Sequence, residues 1–259
     1  MISKNEIKFI RSLSLKKFRI QSGKFVAEGS KIVADLLSSS FKISTLYALE
    51  NWIRSNSQLS QKADSVIAVS ADELKKISSL TTPNQVLAIA DIPKTTYDAE
   101  VSSQSMIIAL DDIRDPGNLG TIIRIADWFG YRTIVCSESC VDAYNSKTVQ
   151  ASMGSIARVE IFYLDLKTVL KNSGLAVYGA FLDGRTVYDE TFDKTGFLVI
   201  GNEANGISPE IEKLITHKIF IPAGNTFGMH AESLNASIAT AVICSEIQRQ
   251  SLKKGKRTE

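Results

Sequence analysis

The alternation of apolar runs and polar turns divides the chain into two α/β stretches. In the second, Met106–Leu110 is an unbroken apolar run, the pattern of a strand buried on both faces. It empties into a turn rich in Asp, Pro, Gly and Asn, and a helix follows over residues 119–129. Ile122, Ala126 and Phe129 recur at i, i+4 and i+7 and give that helix a buried face. Asn118 reads as its cap. Arg124 lies off the buried face and points back towards the strand's carboxyl end. The pattern then predicts a strand at 133–136, a helix around 166–171, a strand at 176–180 and a short helix near Val187. A strand at 197–200 precedes a helix start at Ser208-Pro209-Glu210, where cap, proline and acid stand in order. A last strand, 218–222, leads to a long helix rich in small residues, with Ser233 as its cap.

The first stretch opens on a helical segment outlined by Ile2, Ile7, Ile10, Leu13 and Phe18. Strands at 25–29, 43–49, 65–69 and 86–90 then alternate with helices at 30–37, 51–59 and 71–77. That rhythm fills a small α/β domain over residues 1–92. Residues 93–105 are polar, carry Pro93 and show neither periodicity, so they read as a linker. A second α/β domain over 106–250 and a basic tail over 251–259 complete the expected layout.

Composition adds little until charge is followed along the chain. With 44% hydrophobic and 22% charged residues among 259, the chain is an ordinary globular one. No apolar run approaches the roughly 20 residues of a membrane span, and the N-terminus lacks the apolar core of a secretory signal. The net charge of +2 hides a segregation. Residues 1–31 hold eight Lys/Arg against Glu6 and Glu28, and residues 249–259 hold five against Glu259, so the body between is acidic. The last residues read as a solvated tail. The N-terminal charges sit among apolar residues at helical spacing and point to a nucleic acid. Three cysteines, an odd number, suit a reducing cytosol and read as structural. With two histidines, the chain offers no zinc-ligand spacing, and no metal is expected.

Three predicted strands end in loops of one character: DPGNLG (115–120), GNEANG (201–206) and GNTFGMHAESLN (224–235). Each combines glycines, which permit close backbone approach, with polar side chains of defined type. In open α/β sheets that rim is where ligands bind. No GxGxxG follows a strand, which excludes the dinucleotide fingerprint of an oxidoreductase. No GxxxxGK[ST] is present, and no Ser/His/Asp or Cys/His set supplies a nucleophile.

On these loops the second half resembles the SpoU (TrmH-like) family of RNA ribose 2′-O-methyltransferases, within the SPOUT superfamily. The likeness runs over about residues 106–248, through NLGTIIRIADWFG (118–130), LVIGNEANGIS (198–208) and IPAGNTFGMHAESLNASIA (221–239). NSKTVQASMGSI (145–156) resembles the family's lysine and Ala-Ser-x-Gly segment. The first half, through KKFRIQSGKFVAEG (16–29) and TPNQVLAIA (82–90), resembles the family's ribosomal-protein-like RNA-binding domain. There Gln85 stands near the place of a customary glycine.

The resemblance implies a SPOUT α/β domain with a trefoil knot, a homodimer, and S-adenosylmethionine as cofactor. It further implies a cytoplasmic enzyme acting on structured RNA, ribosomal RNA ahead of transfer RNA. It implies catalytic roles for Arg124, Asn118, Glu203, Ser233 and Asn235. A guanidinium stays protonated at any working pH, so Arg124 is better cast as a clamp on substrate phosphate than as a base. The plain alternative pairs it with Asp127 or Asp112. The cofactor pocket is expected from the backbone at Gly201, Ile221 and Leu234, flanked by Ile200, Asn202 and Pro222. Lys16, Lys17 and Arg19 are the expected RNA phosphate contacts, and His230 is expected at the surface. The rival reading, an inactive RNA-binding ribosome-assembly factor on the same fold, predicts loss of Arg124, Glu203 or Asn235, and all three are present.

Overall fold

The structure is a computed structural model that describes residues 2–102, 104–224 and 232–255. The expectation for His230 and the end of the basic tail lie outside those residues. The chain begins with α1 (Lys4–Ser12), α2 (Lys16–Ser22), β1 (Lys24–Glu28), α3 (Ser30–Leu37) and β2 (Ile43–Ala48). It continues with α4 (Glu50–Ser55), α5 (Ser57–Ser60), β3 (Val66–Ala68), α6 (Ala71–Ile77) and β4 (Val86–Asp91). Next come α7 (Ala99–Ser102), β5 (Met106–Leu110), α8 (Pro116–Phe129), β6 (Thr133–Cys136) and α9 (Ser146–Ser152). A 3₁₀ turn at Ser155–Ala157 leads to β7 (Glu160–Tyr163), α10 (Leu166–Ser173) and β8 (Val177–Thr186). Last are β9 (Gly196–Ile200), α11 (Pro209–Glu212), β10 (His217–Phe220) and α12 (Ala236–Gly255).

These elements form two compact units, one of Met1–Thr95 with Asp142–Arg158, the other of Thr96–Val141 with Val159–Glu259. The first unit is built on a four-stranded sheet of order β1-β4-β2-β3, with β4 antiparallel to both neighbours and β3 parallel to β2. Reciprocal capping boxes, Ser3 with Glu6 and Ser70 with Glu73, start α1 and α6. Their apolar faces meet the sheet in a core that includes Ile10, Leu13, Leu74, Ile77 and Leu87.

Sequence continuity placed 142–158 in the second domain, but the segment packs with the first unit, and side chains explain why. Arg19 donates to Asp142 Oδ2 from Nε at 2.9 Å and from Nη2 at 2.6 Å. The Tyr144 ring lies against Phe25 at 4.9 Å, and Arg158 pairs with Asp35 at 3.3 Å. The Arg19 guanidinium is 1% exposed and also donates to the carbonyls of Leu13 and Ser14. The expectation that Arg19 contacts RNA phosphate therefore fails: burial and four hydrogen bonds to three protein acceptors occupy it. Lys16 and Lys17, one turn earlier, are exposed.

The second unit holds a six-stranded, all-parallel sheet of order β10-β8-β9-β5-β6-β7. From β5 the chain winds to β6 and β7 on one side, then returns to β8 and β9 on the other. The reversal falls between β5 and β9, both wholly buried, and in open α/β sheets the carboxyl ends of the strands at such a reversal form the ligand crevice. Val135, Leu166, Leu170, Phe197, Ile207 and Ile211 fill one face of this sheet, and α12 packs along α8.

Boundaries moved where local polar chemistry decided them. Helix α8 starts at Pro116, three residues early, because the Asp115 carboxylate caps it by accepting the Asn118 N–H at 2.8 Å. Helix α12 is capped by Asn235, not Ser233: its Oδ1 accepts the N–H groups of Ser237 and Ile238. No helix forms near Val187, since β8 runs on to Thr186 beside β10. The N-terminal helical segment is two helices, the 51–59 helix splits at Asn56, and the linker contains α7, with Tyr97 packed on Phe162.

Candidate functional site

The loops after β5, β9 and β10 meet through three side chains. Asn118 Nδ2 donates to Glu203 Oε1 at 2.5 Å, and Asn235 Nδ2 donates to Asn118 Oδ1 at 2.8 Å. Because Asp115 does the capping, the Asn118 side chain is released to join the other two loops. Asn235 shares its Oδ1 with the first turn of α12, which fixes the amide's orientation and aims its Nδ2 at Asn118. Three residues from distant parts of the sequence thus form one hydrogen-bonded chain.

The loop after β9 is closed by its own backbone, with Asn202 and Gly206 exchanging both N–H···O bonds at 2.9 Å. Gly201 sits under that closure, where a Cβ would meet Gly206 C and Ile207 N at 2.3 Å, so only glycine fits. The Asn202 side chain braces the loop: Oδ1 accepts from Ala204 and Asn205, and Nδ2 reaches Asp112 O at 2.8 Å. Asn202 is therefore spent inside the protein and shapes the loop instead of facing a ligand. Beneath it, Asp111 accepts the Ser208 N–H at 2.7 Å and ties the loop to β5. Asp112 stands in the left-handed region with φ 59°. Sequence reasoning missed Asp111 and Asp115, although Asp-Pro before a helix is a cap signal, and offered Asp112 only as a partner for Arg124.

The main-chain groups of Gly201, Ile221 and Leu234 make no hydrogen bond among the described residues. They offer donors and acceptors at the ends of β9 and β10 and just before α12, beside the buried Ile200. Apolar walls with free backbone groups suit an adenine ring and ribose, so these residues fit an adenosyl cofactor. Pro222, Ser233 and Leu234 are exposed at the same loops.

Arg124 projects from the third turn of α8 and is exposed. Of the acids offered as its partners, Asp112 is engaged by Arg114 at 3.0 Å. Among the described residues no ion pair joins Arg124 to Asp127. Asp112 also holds the Arg114 guanidinium above its ordinary pKa. Below the crevice, Cys140 accepts the Ile113 N–H at 3.2 Å. A hydrogen bond from the Cys136 thiol pulls the Cys140 thiol down to about 7, against the opposing effect of burial. The same bond raises Cys136. Both thiols are buried, with Cys140 bracing the motif loop from beneath.

Two family models match successive parts of the chain. Residues 4–88 match the MRM3-like substrate binding domain. The 23S rRNA (guanosine(2553)-2′-O)-methyltransferase RlmP of Bacillus subtilis is 28% identical over 93% of this chain and 95% of its own length. A TrmH-family protein from Porphyromonas gingivalis superposes with a TM-score of 0.86 at 38% identity, covering 96% of this chain and 99% of that one. An AdoMet-bound rRNA methyltransferase from Sinorhizobium meliloti follows at 0.84 and 30% identity, covering 96% and 97%. Residues 105–245, more than half the chain and all three loops of the site, match the SpoU rRNA Methylase family, and the protein belongs to it.

Proposed function

We propose that the protein transfers a methyl group from S-adenosylmethionine to a ribose 2′-hydroxyl of ribosomal RNA. The observation that carries this reading is the Glu203–Asn118–Asn235 chain, on the same loops as the backbone groups of Gly201, Ile221 and Leu234 that make no hydrogen bond among the described residues. The names of its relatives, an rRNA 2′-O-methyltransferase and an AdoMet-bound rRNA methyltransferase, support the substrate and the cofactor. S-adenosylmethionine supplies an electrophilic methyl carbon and a neutral thioether leaving group. The protein's part is to present the 2′-oxygen in line and to ease loss of its proton. Arg124 grips the phosphate next to the target ribose and stabilises the oxygen as charge develops on it. The proton passes to that phosphate or to water. Glu203 accepts from the ribose with the carboxylate oxygen that Asn118 leaves free, and Ser233 and Asn235 hold the substrate side of the loop. Lys16 and Lys17 contact RNA phosphates on the first unit.

The finer features of the family belong to the same proposal. The parallel sheet and its strand order suit the trefoil knot. The free cysteines suit a cytoplasmic setting, and no described helix is long and apolar enough to cross a membrane. For the homodimer, Trp128 is 83% exposed on α8, one turn beyond Arg124 on the same face, and Ile238 is 52% exposed on the adjoining α12. A second copy seated on that face brings its own residues beside Arg124. Trp128→Ser is expected to weaken self-association at least about 30-fold, the effect of a ~2 kcal/mol anchor. Sedimentation over a concentration series checks it, and an unchanged dimer would remove this face from consideration.

The direct test incubates the protein with labelled S-adenosylmethionine and separated, unmodified rRNA and tRNA, then maps the methylated nucleotide. Label in rRNA at a ribose is the expected result. No label in any RNA, with no cofactor binding by calorimetry, overturns the enzyme; RNA binding alone would then favour the assembly-factor alternative.

A further inference from the structure

Arg114, between the end of β5 and the cap of α8, is a second guanidinium at the rim of the crevice that the catalytic assignments do not use. Its Nε–H donates to Asp112 Oδ1 at 3.0 Å. Its terminal nitrogens donate to nothing among the described residues, and its side chain is 71% exposed. An exposed arginine is ordinarily free to wander, but this one is tethered to an acid that is itself immobilised. The Asp112 N–H donates to Ser137 Oγ at 2.9 Å, and its carbonyl accepts Asn202 Nδ2 at 2.8 Å. Its second carboxylate oxygen accepts the same Asn202 amide at 3.3 Å. The left-handed backbone of Asp112, uncommon outside glycine, is held by these bonds from Ser137, just after β6, and from the loop after β9. Asp115 turns its Oδ1 to the Asn118 N–H at 2.8 Å and makes no ion pair with Arg114 among the described residues. What remains is a planar fork of N–H donors, pre-oriented at the mouth of the crevice, the geometry that binds phosphate bidentately.

We infer that Arg114 binds a backbone phosphate of the substrate RNA, with Asp112 as the residue that positions it. The inference rests on the RNA-methyltransferase reading for the identity of its ligand, but its test does not depend on turnover. Because Asp112 is held by Asn202, the arginine's orientation is tied to the shape of the loop that lines the cofactor side.

The test measures equilibrium binding of full-length protein to unmodified 23S rRNA transcribed in vitro, over a series of salt concentrations. One lost phosphate contact lowers the slope of log K against log salt by about 0.7–0.9. Arg114→Gln is expected to lose that much slope and to weaken binding about tenfold near physiological salt. Arg114→Lys is expected to restore the slope while recovering only part of the affinity, because charge is kept and the fork is not. S-adenosylmethionine affinity by calorimetry is expected to stay within about twofold in both, which separates a phosphate contact from a collapsed loop. An unchanged slope in Arg114→Gln overturns the inference, as does a loss of cofactor affinity equal to the loss for RNA. If the wild type binds RNA with the expected slope yet transfers no methyl group, the enzymatic reading fails and the Arg114 contact stands.

Discussion

Arg124→Ala is expected to lower methyl transfer to rRNA by about 100- to 1,000-fold, the range for removing one preorganised group that stabilises developing charge. The same variant is expected to keep wild-type thermal stability and cofactor affinity. The guanidinium is exposed and enters no ion pair among the described residues, so its removal strands no buried charge and opens no cavity. Arg124→Lys discriminates between two roles. A lysine supplies a charge but not a planar fork, so a phosphate clamp recovers little. Single-turnover rates at saturating RNA, with calorimetry for the cofactor, check both variants. Undiminished transfer in Arg124→Ala would leave the family assignment intact and move the centre of the chemistry elsewhere, to Glu203 or to a second copy's residues.

Much of the second unit could be read directly. The apolar runs at Met106–Leu110 and Phe197–Ile200 are strands buried on both faces, and such strands announce themselves without periodicity. Their loops stood out because glycines and asparagines cluster where strands end, and Asn118, Glu203 and Asn235 do meet there. What could not be read was which side chain spends itself on the backbone. Asn118 and Ser233 both have good cap chemistry, yet Asp115 and Asn235 hold the caps, because a cap depends on where the helix begins and not on residue type alone. Asn202 shows the same limit, since its type suits a ligand and its bonds serve the loop.

The larger misreadings were non-local. The packing of 142–158 against the first unit depends on pairs more than a hundred residues apart, and no periodicity encodes them. β8 runs past its apolar stretch because β10 pairs with its polar end, which lies more than thirty residues away in sequence. Arg19 belongs to this group. In a run with Lys16 and Lys17 it looks like one more phosphate contact, and only its distant partner makes it a core residue.

That reassignment carries the second large prediction. Arg19→Met is expected to destabilise the first unit by about 3–5 kcal/mol, the cost of removing one partner from a buried ion pair. Asp142, whose side chain is 13% exposed, is left without its guanidinium partner, and the carbonyls of Leu13 and Ser14 lose their donor. The loss unpins 142–158 at its first residue, so limited proteolysis is expected to open that segment before the parallel sheet of the second unit yields. Pairing Arg19→Met with Asp142→Leu is expected to recover only part of the stability. The stranded charge is gone, but Asp142 also accepts the Tyr144 N–H at 2.9 Å, and that turn is lost with it. Urea unfolding followed by a probe in each unit gives the numbers. The salt dependence of RNA binding decides the role, because a core residue leaves the slope of the folded fraction unchanged. A stable Arg19→Met variant whose slope falls by one phosphate would return Arg19 to the RNA surface and leave the attachment of 142–158 to Tyr144 and Arg158.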